Sequence, residues 1–212
     1  MRRLPIYLLL DVSGSMSGEP IEAVRNGMQI MLGSLRQNPQ ALETAFLSII
    51  TFDSSAREIV PLSDLSSFQM PDIKATGTTA LGEALHVVSK CIDKDVATTT
   101  AEIKGDWKPM VFIMTDGMPT DDWRSGLTEF RKRKISCTVA CAAGPGPDTN
   151  VLKEITENVV SIDTADSHSI GKFFQWVTAS IGVSSTKVED SGKEASGLSE
   201  LAPPPSELNI VV

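Results

Sequence analysis

Three short clusters of oxygen-bearing side chains stand out in this 212-residue chain. Asp11-Val12-Ser13-Gly14-Ser15 follows an apolar run, Thr76-Gly77-Thr78-Thr79 precedes an amphipathic stretch, and Thr115-Asp116-Gly117 closes the apolar segment Met110 to Met114. Together they offer carboxylates and hydroxyls, with neither imidazole nor thiolate. Such hard donors suit a hard divalent cation, Mg²⁺ above all, with Mn²⁺ and Ca²⁺ as the other candidates. Mg²⁺ wants a near-octahedral oxygen shell and keeps water unless charge displaces it. If the two carboxylates act through water, the ion stays electrophilic and can accept a carboxylate from another molecule.

The elements that must carry these clusters alternate between strand and helix patterns. Leu4 to Leu10 is nearly unbroken apolar sequence, the signature of a strand covered on both faces. Ile21, Val24, Met28, Met31 and Leu35 recur at helical spacing, with Pro20 suited to a first turn and Gln37-Asn38-Pro39 as the stop. Ala45 to Phe52 and Arg57 to Leu62 read as two strands. Their short connection through Asp53 makes them antiparallel, because a parallel crossover needs a dozen or more residues. Leu81, Ala84, Leu85, Val88 and Ile92 form a further helical face, and the threonine hydroxyls of 76–79 are candidates to cap it. Ala97 to Asp106 is polar and predicts a loop. Later come strands at 110–114, 135–143 and 159–162, and helices over 121–130, 151–155 and from Ile170 onward. This alternation predicts an α/β fold, a single doubly wound and mostly parallel sheet with helices on both faces. In such sheets ligands bind outside the carboxyl ends of the strands, where all three clusters fall.

Composition narrows the function classes. The chain carries 19 Lys and Arg against 27 Asp and Glu, a formal charge of −8, which argues against binding nucleic acid or an anionic membrane. Arg131 to Lys134 is a basic run best read as a solvated helix end. Cys91, Cys137 and Cys141 cannot all be paired. Cys137 and Cys141 on one strand would lie about 13 Å apart, too far to bridge, and the spacing makes no zinc site. Met1-Arg2-Arg3 with Ile6 to Leu10 imitates a signal peptide, but Asp11 ends the apolar run too early. A cytoplasmic protein is therefore expected. His86 lies off its apolar stripe, His168 sits beside Asp166 and Ser167 near a helix start, and no Gly-x-Ser-x-Gly elbow occurs, which disfavours a serine hydrolase. Asp121 and Asp122 could reach the outer shell of an ion, but helix capping is the preferred reading. Asp53 reads as a turn former, and Gly14, Gly77 and Gly117 as positions needing unusual backbone angles.

The ordered set Asp11-x-Ser13-x-Ser15, a threonine before a Leu-Gly helix start and Thr115-Asp116-Gly117 resembles the metal-ion-dependent adhesion site (MIDAS) of von Willebrand factor type A domains. The likeness covers roughly residues 4 to 182. It implies six strands in the order 3-2-1-4-5-6 with one antiparallel edge strand. It also implies Ser13, Ser15 and Thr79 as direct metal ligands, with Asp11 and Asp116 acting mainly through water. Thr78 occupies a position where family members usually have glycine, so it stays an alternative to Thr79. The opening R-R-L-P-I-Y-L-L-L-D-V-S-G-S-M-S-G-E-P-I-E-A-V further resembles the bacterial TerY family of tellurite resistance and chemical stress. The adhesion-site resemblance implies a non-enzymatic module binding a partner's Glu or Asp through the metal, and the TerY resemblance implies a scaffold with a kinase and a phosphatase as associates. The competing expectation is a Mg²⁺-dependent phosphatase of haloacid-dehalogenase type using Asp11. Ser13 stands where that chemistry needs a general acid, and serine cannot serve near neutral pH. The domain is expected over residues 1–183, with 184–212 as a flexible Ser/Gly/Pro-containing tail whose apolar close, Ile210-Val211-Val212, could dock on something.

Overall fold

The computed structural model describes residues 2–211, so Met1 and Val212 lie outside it. Strand β1 (Leu4–Asp11) is buried at every position. It runs parallel to β2 (Ala45–Phe52) on one side and to β4 (Met110–Thr115) on the other, as its unbroken apolar sequence requires. Alternate residues of β1 feed two separate cores. Leu4, Ile6, Leu8 and Leu10 pack with α1 (Glu19–Arg36) and α6 (Ser167–Ser191) on one face. Tyr7 and Leu9 pack with α3 (Leu81–Asp95), α4 (Trp123–Phe130) and α5 (Thr149–Ile155) on the other.

Strand β3 (Ala56–Asp64) pairs antiparallel with β2, as its short connection demands. Strands β5 (Cys137–Ala143) and β6 (Val159–Ile162) extend the sheet in parallel. Gln37-Asn38-Pro39 does end α1, but a second helix begins at once. Pro39 opens α2 (Pro39–Thr44), and the Asn38 side chain accepts from Ala41 N at 3.0 Å.

The structure corrects the expected strand count. With Asn209–Ile210 as a further strand, β7, the order is β3-β2-β1-β4-β5-β6-β7, seven strands rather than six. The added β7 runs antiparallel to β6, so both edges of the sheet are antiparallel rather than one. The tail expectation also fails to match residues 184–211. Helix α6 crosses residue 183 without a break, because Ser184, Ser185 and Val188 continue its buried stripe. The following strap buries Ala195, Leu201, Ala202 and Leu208, and Trp176 Nε1 donates to the Ala202 carbonyl at 2.7 Å. Val211 N then bonds Val159 O at 2.9 Å. Small and apolar residues scattered among polar ones hide such docking from any local periodicity. Among the described residues no helix is long and apolar enough to cross a membrane.

Candidate metal centre

The chain leaves β1 toward β2 and later returns to β4 on β1's other side. That reversal opens a crevice at the carboxyl ends of β1 and β4, where Asp11 and Thr115-Asp116 end their strands. Asp11 is 1% exposed, and both its oxygens are engaged. Oδ1 accepts from Ser13 N at 2.8 Å and Oδ2 from Thr115 Oγ1 at 2.6 Å. Ser13 Oγ lies 3.0 Å from Ser15 Oγ, and Ser15 Oγ donates to Asp116 Oδ1 at 2.8 Å. The first and third clusters are thereby joined into one polar chain.

Thr79 closes the constellation. It is 5% exposed, and its hydroxyl faces Gly117, where an added Cβ would stand 3.1 Å from Thr79 Oγ1. Thr78 faces elsewhere. It is exposed, and its N and Oγ1 lie 3.1 and 3.3 Å from Ser54 Oγ. Gly77 bears a positive φ of 73°, and a Cβ there would meet Ser54 Oγ at 2.5 Å. The expected unusual angles at Gly14 and Gly117 are absent, since only glycines 18, 77, 144 and 192 take positive φ among the described residues. Close approach explains Gly14 instead: a Cβ would stand 3.3 Å from Gly77 O, the carbonyl that accepts from Gly14 N at 3.0 Å.

The expected capping by residues 76–79 is also corrected. The residue before α3 is Ala80, which offers no side-chain oxygen. Asp121, from the loop after β4, accepts from Gly82 N at 3.0 Å and Glu83 N at 2.8 Å. Asp122 caps its own helix α4 through Ser125 N. Capping, expected for both aspartates, thus holds for each, but Asp121 serves a helix 39 residues earlier in the chain, which its local sequence does not announce. Two residues carry roles that local pattern does not assign: Thr115, whose hydroxyl fixes Asp11, and Thr120, which exchanges two hydrogen bonds with Thr79. Thr79 N donates to Thr120 Oγ1 at 3.1 Å, and Thr120 N to Thr79 O at 2.9 Å. A polar residue ending an apolar strand beside Asp116 was the available signal for Thr115.

The electrostatics fit a bound cation. Burial pushes the Asp11 carboxyl above its usual range, hydrogen bonds from Ser13 and Thr115 oppose this, and Asp116 adds repulsion. Burial also raises Asp116, against the hydrogen bond from Ser15. Two desolvated carboxylates beside the hydroxyls of Ser13, Ser15 and Thr79 form a donor set suited to a hard dication. Among the described residues no group of three or more His, Cys, Asp or Glu side chains could hold a metal, so hydroxyls must supply much of such a shell.

The remaining sequence candidates lie in structural roles. Asp53 accepts from Ser55 N at 3.0 Å within its turn. His86 Nε2 lies 3.3 Å from Ser125 Oγ, and His168 Nε2 lies 3.4 Å from Glu207. The basic run ends α4, with Lys132 and Arg133 paired to Glu129 and Arg133 also to Asp93. All three cysteines are free and buried. Burial pushes the thiols of Cys91 and Cys137 up to about 12 and about 11.

Residues 6–175 match the family described as von Willebrand factor type A domain. A von Willebrand factor A domain-containing protein of Dictyostelium discoideum is 30% identical over 146 residues, covering 68% of this chain and 15% of that protein. The chain thus spans a small part of this curated relative. Among solved structures, a von Willebrand factor type A protein from Catenulispora acidiphila superposes with a TM-score of 0.65 at 15% identity, covering 86% of this chain and 43% of that one. Proximal thread matrix protein 1 from the mussel byssus, solved with a zinc-occupied MIDAS motif, gives 0.58 at 19% identity, covering 84% and 45%.

Proposed function

Because this chain belongs to the von Willebrand factor type A domain family, we propose that the carboxyl edge of its sheet holds a divalent cation and binds a partner protein through it. The observation that carries this reading is the continuous set Asp11, Ser13, Ser15 and Asp116, closed by Thr79 at Gly117. Ser13, Ser15 and Thr79 are proposed as direct ligands, and Asp11 and Asp116 as acceptors for the ion's water. The inward placement of Thr79, against the Thr78–Ser54 contact, supports Thr79 as the threonine ligand. Mg²⁺ is the proposed ion, with Mn²⁺ and Ca²⁺ as alternatives; the zinc in the mussel protein supports divalent chemistry at such an edge. When bound, the cation supplies an electrophilic position for a Glu or Asp of the partner. The chain's own residues fix that position. Thr115 and Ser13 orient the Asp11 carboxylate, and Ser15 bridges to Asp116.

A non-enzymatic role is supported by the burial of Asp11. A phosphatase nucleophile needs an oxygen open for in-line attack, whereas both Asp11 oxygens accept hydrogen bonds in a residue 1% exposed. The TerY-like opening over residues 2–24 supports a cytoplasmic scaffold in bacterial tellurite resistance or chemical stress, with a kinase and a phosphatase as associates. Buried thiols held in their neutral form argue against direct reduction of tellurite by the cysteines.

The test is calorimetric titration of the metal-stripped chain with MgCl₂ and MnCl₂, beside Ser13→Ala. Saturable binding that Ser13→Ala weakens supports the site. Affinity unchanged in a folded Ser13→Ala variant removes it. Partner capture with and without EDTA then tests bridging, since capture equal in both conditions rules out a metal-mediated contact.

A further inference from the structure

We propose that Asp121 is a positioning residue for the ion: by capping α3 from the neighbouring loop it leaves the Thr79 hydroxyl free of cap duty and facing Gly117, the residue after Asp116. This inference rests on the metal-site reading above. A threonine at a helix start can spend its hydroxyl oxygen on a free amide of the first turn. Three threonines precede α3, yet none of them caps it. The two amides that need an acceptor, Gly82 N and Glu83 N, each take one oxygen of the Asp121 carboxylate, at 3.0 and 2.8 Å. A negative charge there also meets the positive end of the helix dipole.

The same loop supplies further ties to Thr79. Asp116 and Asp121 stand five residues apart on the connection between β4 and α4. Thr120, next to Asp121, exchanges two hydrogen bonds with the Thr79 backbone, at 3.1 and 2.9 Å. Beyond them α3 and α4 touch backbone to backbone. A Cβ on Gly126 would stand 2.2 Å from Gly82 O, and one on Gly82 would stand 2.6 Å from Trp123 Cα. Thr79 and Asp116 therefore ride on one rigid body. Ser13 and Ser15 join it through the Gly14–Gly77 bond at 3.0 Å and the Thr76–Val12 bond at 2.8 Å. Without the Asp121 carboxylate, Gly82 N and Glu83 N are left open and the nearest replacement acceptors in sequence are the hydroxyls of Thr78 and Thr79. A Thr79 hydroxyl turned to the cap is lost to the ion.

The experiment measures Mg²⁺ and Mn²⁺ affinity by calorimetry on metal-stripped protein, with amide NMR of Thr79, Gly82 and Glu83. Wild type is compared with Asp121→Ala, Asp121→Asn, Asp148→Ala and Ser13→Ala. Asp148 caps α5 through Asn150 N at 2.9 Å and serves as the control for losing a cap away from the proposed ligands. Asp121→Ala is expected to weaken metal binding about tenfold, the usual reach of a group that orients a ligand. Asp121→Asn keeps one acceptor oxygen and is expected to weaken it roughly threefold. Asp148→Ala is expected to lower thermal stability while binding metal as wild type does. Wild-type affinity in folded Asp121→Ala overturns the proposal, and so does an equal loss in Asp148→Ala. If Asp121→Ala does not fold, Asp121→Asn decides in the same way, and wild-type affinity there overturns it. Unchanged affinity in Ser13→Ala overturns the site itself, whatever Asp121 does.

Discussion

Two glycine-to-alanine substitutions, alike in chemistry, should move stability in opposite directions. Gly126 lies inside the eight-residue helix α4, and Gly33 inside α1. Alanine favours helix by about 1 kcal/mol over glycine at either position. At Gly33 nothing lies within 4 Å of the added Cβ, so the gain stands alone. At Gly126 the Cβ would stand 2.2 Å from Gly82 O and 2.8 Å from Gly82 C. These are backbone atoms and cannot rotate aside. Ordinary contact begins at 3.4 Å, so α4 must retreat from α3 by about 1.2 Å. That retreat loosens Trp123, Leu127 and Phe130, which are buried against the same core. Overpacking of this kind costs about 1–3 kcal/mol, so the clash outweighs the helix gain. For a chain of this size, 1 kcal/mol shifts the midpoint by about 2–4 °C. Gly33→Ala should therefore raise Tm by about 2–4 °C, while Gly126→Ala lowers it by up to about 8 °C. Calorimetric melts in EDTA measure both. Repeating them in MgCl₂ reads the coupling to the site, because ligand bound at a hundredfold its Kd adds about 2.7 kcal/mol to wild type. Gly126→Ala should lose much of that increment, and Gly33→Ala none. Equal Tm shifts in the two variants would refute the close α3–α4 crossing and, with it, the rigid mount for Thr79.

Further outcomes follow from other contacts. Thr79→Ala should weaken Mn²⁺ binding while Thr78→Ala leaves it unchanged, read by calorimetry; the reverse order would exchange the two threonines. Burial raises the Asp106 carboxyl, but hydrogen bonds from Arg3 and from Ala97 N outweigh it and hold the carboxyl below its usual range. A lowered carboxylate contributes stability above its unfolded pKa of roughly 4 and loses it as pH falls through the folded value. Asp106→Asn should thus cost about 2 kcal/mol near pH 7 and lessen the acid-side decline, and parallel pH profiles for the two proteins would contradict this. Trp176→Phe removes the 2.7 Å bond to Ala202 O and should cost about 1 kcal/mol, with faster hydrogen exchange confined to the strap after α6. Native protein should react slowly with a thiol reagent at pH 8, and all three cysteines should react on denaturation.

The alternating pattern of the chain was legible because each element is written locally. The apolar run of β1 marks burial on both faces, and the helical spacing of Ile21, Val24, Met28 and Met31 marks one face of α1. The tight Asp53 turn marks β3 as antiparallel. Strand ends then brought Asp11 and Asp116 to one edge, since parallel neighbours in register finish together. The sequence could also present Ser13 and Ser15, because two-residue spacing needs no tertiary partner to be read.

Other features depend on residues far apart in the chain, and only the folded structure decided them. Thr78 and Thr79 are the same residue type side by side; what separates them is Ser54 on one side and Gly117 on the other. The cap on α3 comes from Asp121, 39 residues beyond Gly82, so nothing next to the helix announces it. Strand β7 is two residues long and exposed, too short to carry a period, and exists because the β6 edge offers it hydrogen-bond partners. The strap before it is fixed by Trp176 and Asn158 on other elements. Periodicity records which face of an element meets the core. It does not record which distant backbone group that face, or the loop beside it, will find.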